Sequence, residues 1–174
     1  MLCKKLNHAA FRCADAKETV DFYTEVLGLR FAHAVGGDHV PSTGEYDPHF
    51  HIFLHMEDGS SLAFFEVPGC PGPMKDTEMH DWIQHFAFEV DTLETLNEAK
   101  AKMEARGMPV LGPTDHGFIT SIYFHDPSGH RLELTTPTGP IGDADEAEAR
   151  ARELLDLWDK DKDWSGLEAA GLHG

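Results

Sequence analysis

Near its start the chain reads Leu6-Asn7-His8-Ala9-Ala10-Phe11, and from residue 83, an offset of 77, it reads Ile83-Gln84-His85-Phe86-Ala87-Phe88. Both runs go apolar, amide, histidine and then into the alternation of a half-buried strand. Each is followed by the same helix-start pattern, Asp15-Ala16-Lys17-Glu18 and Asp91-Thr92-Leu93-Glu94, in which the aspartate side chain is expected to accept from the free backbone N–H groups of the first turn. Apolar residues at helical spacing come next: Val20, Phe22, Tyr23, Val26 and Leu27 before Gly28, then Leu93, Leu96, Ala99 and Met103 before Gly107.

Beyond each helix lie short runs of strand character, 30–35, 51–55 and 61–67 in the first half and 108–111, 119–124 and 131–135 in the second. The closing hairpins also align, Ile52-Phe53-Leu54-His55-Met56-Glu57-Asp58-Gly59 with Ile122-Tyr123-Phe124-His125-Asp126-Pro127-Ser128-Gly129, at an offset of 70. The order β-α-β-β-β therefore occurs twice. This predicts an α+β fold of two tandem βαβββ modules, residues 4–69 and 80–139. The extra length of the first half falls in a Gly/Pro-containing loop, 36–48, and a connector, 69–79. Residues 140–174 break the repeat as an acidic C-terminal extension. Its segment 143–160 reads as an amphipathic helix with Leu154, Leu155, Leu157 and Trp158 late in it, placed to dock on the domain or on a second subunit.

Composition removes several classes of partner. A net charge of -17 over 174 residues, with a pI near 4.9, opposes both a phosphate-tracking nucleic-acid surface and an anionic membrane. No apolar run approaches the roughly 20 residues that span a bilayer, and the N-terminus lacks a signal-peptide core, so the expected location is cytoplasmic. Cys3, Cys13 and Cys70 form an odd set without CxxC spacing and read as reduced thiols. Twelve histidines are the unusual count, and only their arrangement can separate ligands from bystanders.

The stretch 114–133, TDHGFITSIYFHDPSGHRLE, concentrates three of those histidines with Tyr123 and Glu133. A repeat that opens each half on a strand histidine and closes on D-P-S-G-H-R-L-E resembles the vicinal oxygen chelate superfamily, which includes glyoxalase I, extradiol ring-cleavage dioxygenases and antibiotic-resistance proteins. The resemblance covers about residues 4–139. It implies paired modules that curl into a cupped mixed sheet, a small-molecule substrate, a homo-oligomer, and metal ligands at His8, His85, Glu133 and a fourth position near the end of the first module.

Two residues compete for that fourth position. At offset 70, Glu133 corresponds to Ala63; Glu66 lies three residues further on, and an odd shift along a strand turns a side chain to the opposite face unless a bulge intervenes. With Ala63 there, two histidines and one carboxylate make the facial set of non-haem Fe2+ enzymes, which also suits Mn2+. With Glu66 there, four protein ligands would surround Ni2+ or Zn2+ in the glyoxalase manner.

The spacing T-x-H-x5-I-Y-x2-D-P-x-G-x3-E matches the type I extradiol signature at every defined position. By that resemblance the substrate is a catechol-type aromatic diol, as in aromatic hydrocarbon catabolism. His116 would hydrogen-bond the substrate and Tyr123 would meet a substrate oxygen, with a plain structural role as the alternative for either. Residues 126–129 read as the tight turn delivering the last strand, and His125 and His130 as surface residues. One departure stands out: the acid/base histidine of extradiol enzymes falls on Ser60, with His51 and His55 on the neighbouring strand as possible substitutes. Three activities therefore remain in play: extradiol dioxygenase, glyoxalase-type isomerase or lyase, and metal-free ligand sequestration.

Overall fold

A computed structural model describes residues 5–69, 80–140 and 143–162. Cys3, Cys70, the connector from 70 to 79 and the end of the C-terminal extension lie outside the described residues. The element order is β1 (His8–Arg12), α1 (Ala16–Glu25), β2 (Arg30–His39), β3 (Tyr46–His55), β4 (Ser61–Glu66), β5 (Phe86–Glu89), α2 (Leu93–Ala105), β6 (Leu111–Asp115), β7 (Ile119–His125), β8 (Arg131–Pro137) and α3 (Ala144–Asp161). Two four-stranded mixed sheets result, ordered β1-β4-β3-β2 and β5-β8-β7-β6. They are two tandem βαβββ modules with a C-terminal helix.

The internal repeat is preserved in the hydrogen-bond register. Ala10 pairs with Ala63 across the parallel β1–β4 ladder, as Ala87 pairs with Glu133 across β5–β8. Phe53 lies opposite Ala63 on β3, as Tyr123 lies opposite Glu133 on β7. Ala63 is therefore the structural counterpart of Glu133. Alternation along these strands gives each sheet two distinct faces. Ile52, Leu54, Leu62 and Phe64 are buried on the helix side, where Tyr23 of α1 meets Phe64 at 5.1 Å between ring centroids. Ile122, Phe124, Leu132 and Leu134 are buried in the second module and share one core with Leu96 and Met103 of α2.

Glu66 sits on the helix side. Its Oε2 accepts from the backbone N–H of Ala16 at 2.7 Å, in the first turn of α1, where a carboxylate also complements the helix dipole. The Asp15 side chain caps the same turn by accepting from Glu18 N–H at 2.8 Å. In α2 the expected Asp91 cap is displaced by one residue: Thr92 is the N-cap and accepts from Thr95 N–H at 3.1 Å, because the helix begins at Leu93.

Two strand expectations are corrected. The stretch 36–48 is a loop only over 40–45: Gly36 pairs with Phe50 and Gly37 with His49, so β2 and β3 are ten residues each and their hairpin runs past the end of β4. Pro48 is accommodated at a register shift, where its missing N–H interrupts no ladder bond. In the second half the strand is Leu111–Asp115, not 108–111. Met108 and Val110 instead pack against the core, and the shift between Leu111 and Thr114 absorbs Gly112 and Pro113.

The turn at 126–129 does more than deliver β8. Tyr23 donates its hydroxyl to Asp126 Oδ2 at 3.0 Å, Ala14 N–H donates to Ser128 Oγ at 3.0 Å, and His130 Nε2 donates to the Arg12 carbonyl at 2.8 Å. His130 is thus no surface residue; its ring also lies against Phe11, Phe64 and Phe86. Burial, opposed by His130, pushes the Asp126 carboxyl above its ordinary value, and burial beside that group pushes the Tyr23 phenol well up. The phenol therefore keeps its proton and remains the donor to Asp126. Cys13, buried and free, lies in the same region, and burial raises its thiol as well.

Candidate metal and substrate site

The second module assembles four of the sequence-selected residues. His85, immediately before β5, places Nε2 2.9 Å from Oε2 of Glu133, whose residue is only 4% exposed. Tyr123, directly across from Glu133, donates its hydroxyl to Oε1 at 3.3 Å. His116 Nε2 lies 2.8 Å from the same hydroxyl and donates to it. The β6–β7 turn positions that histidine: His116 N–H donates to the Ile119 carbonyl at 2.9 Å, and Gly117 takes a φ of 87° that a side chain disfavours. A single chain of polar contacts therefore runs His85–Glu133–Tyr123–His116. Burial first, and the Glu133 carboxylate second, push the Tyr123 phenol above its ordinary value, keeping it a hydrogen-bond donor at neutral pH.

His8 occupies the equivalent place in the first module but is not part of that chain. Its Nδ1 lies 2.7 Å from Asn7 Oδ1, and its ring packs edge-on against Phe53 at 5.5 Å. Among the described residues no three histidine, cysteine or acidic side chains come close enough together to hold a metal. Strand parity explains the separation. Phe11 and Phe86 pack at 4.5 Å between centroids; Phe11 lies on the opposite face of β1 from His8, and Phe86 opens β5 directly after His85, so alternation carried back one residue turns those two apart as well. The modules are joined through the faces that do not carry the candidate ligands.

The ligand face of the first sheet is rich in imidazole. His51 stacks on Phe65 at 3.6 Å, and its ring lies 6.4 Å from that of His8. It therefore shares the face of His8, a point the sequence left open. Burial first, then the His8, His49 and His33 rings, hold the His51 imidazole below its ordinary value. His55 is on this face too, beside Arg30, while Ser60 is buried in the β3–β4 turn and donates to Asp58 at 2.6 Å.

The sequence reading missed Arg131. It lies on the ligand face two positions before Glu133, with its guanidinium carbon 4.5 Å from the Tyr123 ring centroid. Counting back by two from Glu133 was the available signal. His125 is exposed as expected and sits 3.2 Å from Asp81, a contact that lowers the Asp81 carboxyl.

The donor set suits a divalent metal. Two cis ligands with bonds of about 2.1 Å stand about 3.0 Å apart, which is the His85–Glu133 separation. A metal held by both groups would take the place of their direct contact.

Paired βαβββ modules with a strand histidine opening each and a buried glutamate closing the second define a vicinal oxygen chelate protein. The chain belongs to the Glyoxalase/Bleomycin resistance protein/Dioxygenase superfamily, whose family model matches residues 5–134. It is 31% identical over 133 residues to metallothiol transferase FosB of Bacillus licheniformis, covering 75% of this chain and 74% of that protein. It is 28% identical over 131 residues to biphenyl-2,3-diol 1,2-dioxygenase 3 of Rhodococcus globerulus, covering 75% of this chain and 62% of that protein. A lactoylglutathione lyase of Haemophilus influenzae is 28% identical over 127 residues, covering 73% of this chain and 88% of the lyase. The chain thus spans less than two thirds of that dioxygenase. Among solved structures, a Frankia glyoxalase/bleomycin resistance/dioxygenase domain aligns at TM-score 0.64 and 17% identity over 78% of this chain and 99% of that one. Leishmania major glyoxalase I aligns at 0.57 and 21% over 92% and 100%. These likenesses concern the fold. No helix among the described residues is long and apolar enough to cross a membrane.

Proposed function

We propose that the chain is an Fe2+-dependent extradiol dioxygenase that opens the ring of a catechol-type diol beside its two oxygens, placing both atoms of O2 in the product with no external reductant. The observation that carries this reading is the Tyr123 hydroxyl. It bridges the buried carboxylate of Glu133 and the exposed ring of His116, so a phenol stands beside the ligand position, and with Glu133 taken up by a metal its proton would be free for the substrate oxygen where charge would develop. Glu66, bonded to α1 on the other face, offers no fourth ligand, which favours the three-ligand chemistry over a glyoxalase set.

His85 and Glu133 would hold the metal from one copy of the chain and His8 from a second copy. Because the modules are joined through their opposite faces, a face-to-face pairing of two chains would bring each His8 to the partner's acidic half-site. Bound iron supplies adjacent coordination positions for a vicinal diol and dioxygen. Mn2+, Ni2+ and Zn2+ suit the same donors. Tyr123 would orient the diol by donating to its oxygen, His116 would hold the tyrosine hydroxyl in place, and His51 on the facing sheet is available as the neutral base that Ser60 cannot be.

A second reading, metal-dependent transfer or isomerisation of a thiol adduct, draws support from length: the chain covers more of the transferase and lyase relatives than of the dioxygenase. Anaerobic loading with Fe2+, followed by catechols and an oxygen electrode, separates the two. Oxygen uptake with a yellow ring-fission product supports the dioxygenase. Tight binding of nickel or zinc without oxygen uptake supports the second reading.

A further inference from the structure

Arg131 has more binding capacity than its surroundings use. By strand alternation it shares a face with Glu133, about 6.7 Å along β8, and the Tyr123 ring joins the two residues: its face meets the guanidinium at 4.5 Å and its hydroxyl meets Glu133 at 3.3 Å. The guanidinium therefore stands about one ring's breadth from the ligand pair. Its side chain is 14% exposed, and its Nε is buried without a hydrogen-bond partner among the described residues. Its ion pair there is a 3.5 Å contact with Asp81, which is 69% exposed and shared with His125. An exposed pair at that distance holds the cation weakly. A planar five-donor group, fixed in orientation by an aromatic ring and held only by an exposed carboxylate at 3.5 Å, is matched to a carboxylate that binds through both oxygens.

We propose that Arg131 selects the substrate, by receiving a carboxylate on the far side of an aromatic ring whose vicinal oxygens face His85 and Glu133. The substrate class is then an acidic catechol, with the carboxylate attached to the ring directly or through a short arm, in preference to a neutral alkyl catechol. The inference rests on the diol reading above. The incoming carboxylate would displace Asp81, leaving that residue to His125.

The test is calorimetry under nitrogen, on metal-free and on Fe2+-loaded protein, with 3,4-dihydroxybenzoate and 4-methylcatechol as probes. The wild type is expected to bind the acid about 10- to 100-fold more tightly than the neutral diol, the range of a hydrogen bond to a charged group. R131Q should abolish that preference, and R131K, which keeps the charge but loses the fork, should retain part of it. Melting curves of both variants establish that they are folded, and the ratio of the two affinities is a quantity that a merely structural arginine would not move. Equal binding of the two probes by wild type, binding of neither, or an unchanged preference in R131Q overturns the inference. Oxygen uptake on each diol is recorded in parallel. Turnover without acid preference removes the Arg131 proposal and leaves the dioxygenase; acid preference without turnover does the reverse.

Discussion

If His8 completes the metal site of a second copy, two inactive variants should repair one another. H8A removes the first-module ligand and E133Q removes the second-module carboxylate, so a homodimer of either variant carries a defect in both sites. In a mixed dimer the defects fall together. One site receives both substituted side chains, one from each chain, while the remaining site receives His8 and Glu133 intact. Random pairing makes about half of all dimers mixed, each with one sound site of two, so about one quarter of the wild-type sites should return. The assay is iron content and oxygen uptake after the two variants are unfolded together, refolded and loaded with Fe2+ anaerobically, against each variant treated alone. The packing of Phe11 on Phe86, which turns the ligand faces away from one another within a chain, is the feature under test. No recovery above the separate variants would refute the shared site, since a site built within one chain gains nothing from mixing.

Three further outcomes are expected. Y123F and H116Q should lower kcat on a responsive diol by about 10²–10³, the effect of removing a donor aimed at developing charge. Their loss of stability should stay near 1 kcal/mol, read as a melting shift of about 2–4 °C; near wild-type turnover would reduce both to structural residues. E66Q should keep its metal by elemental analysis while losing about 0.3–1 kcal/mol of helix-terminus stabilisation, and loss of metal would return Glu66 to the ligand set. For His51, whose folded value lies below the ordinary 6.5, the stabilising contribution is present above that value and is lost as pH falls through the range beneath it. The melting temperature of metal-free wild type should therefore drop more steeply between neutrality and about pH 5 than that of H51F, and parallel profiles would contradict the burial argument.

Much of the architecture is legible because the repeat is a statement about register. Offsets of 77 for the opening strands and 70 for the closing hairpins, taken together, require Ala63 and Glu133 to hold equivalent positions, and both ladders agree. The same parity argument sends Glu66 to the helix side. The misses have a common physical origin in what flanks the repeat. Gly36, Gly37 and Pro48 read as loop residues, yet β2 is the edge strand of its sheet and Pro48 of β3 lies beyond the last β4 pair, Phe50 with Glu66, so none of them interrupts a further ladder. His130 reads as a surface residue because nothing local in D-P-S-G-H points to a carbonyl in the other module. His8 and His85 are equivalent by repeat, but equivalence does not say which faces meet; that depends on Phe11 and Phe86, whose packing partners are not encoded in their spacing.

The contacts around residues 126–130 give the duplication a direction. The closing turn of the second module reaches into the β1–α1 region of the first, through Tyr23, Ala14 and the Arg12 carbonyl, whereas the corresponding turn of the first module is engaged with Lys5 and with its own Asp58–Ser60 bonds. One half is socket and the other is plug. Two first modules would present sockets with nothing to fill them, and two second modules would present plugs without a seat. The halves have ceased to be interchangeable, so their order along the chain is itself part of the fold. A substitution at Asp126, Ser128 or His130 would then act on the angle between the modules as well as on the strand that carries Glu133.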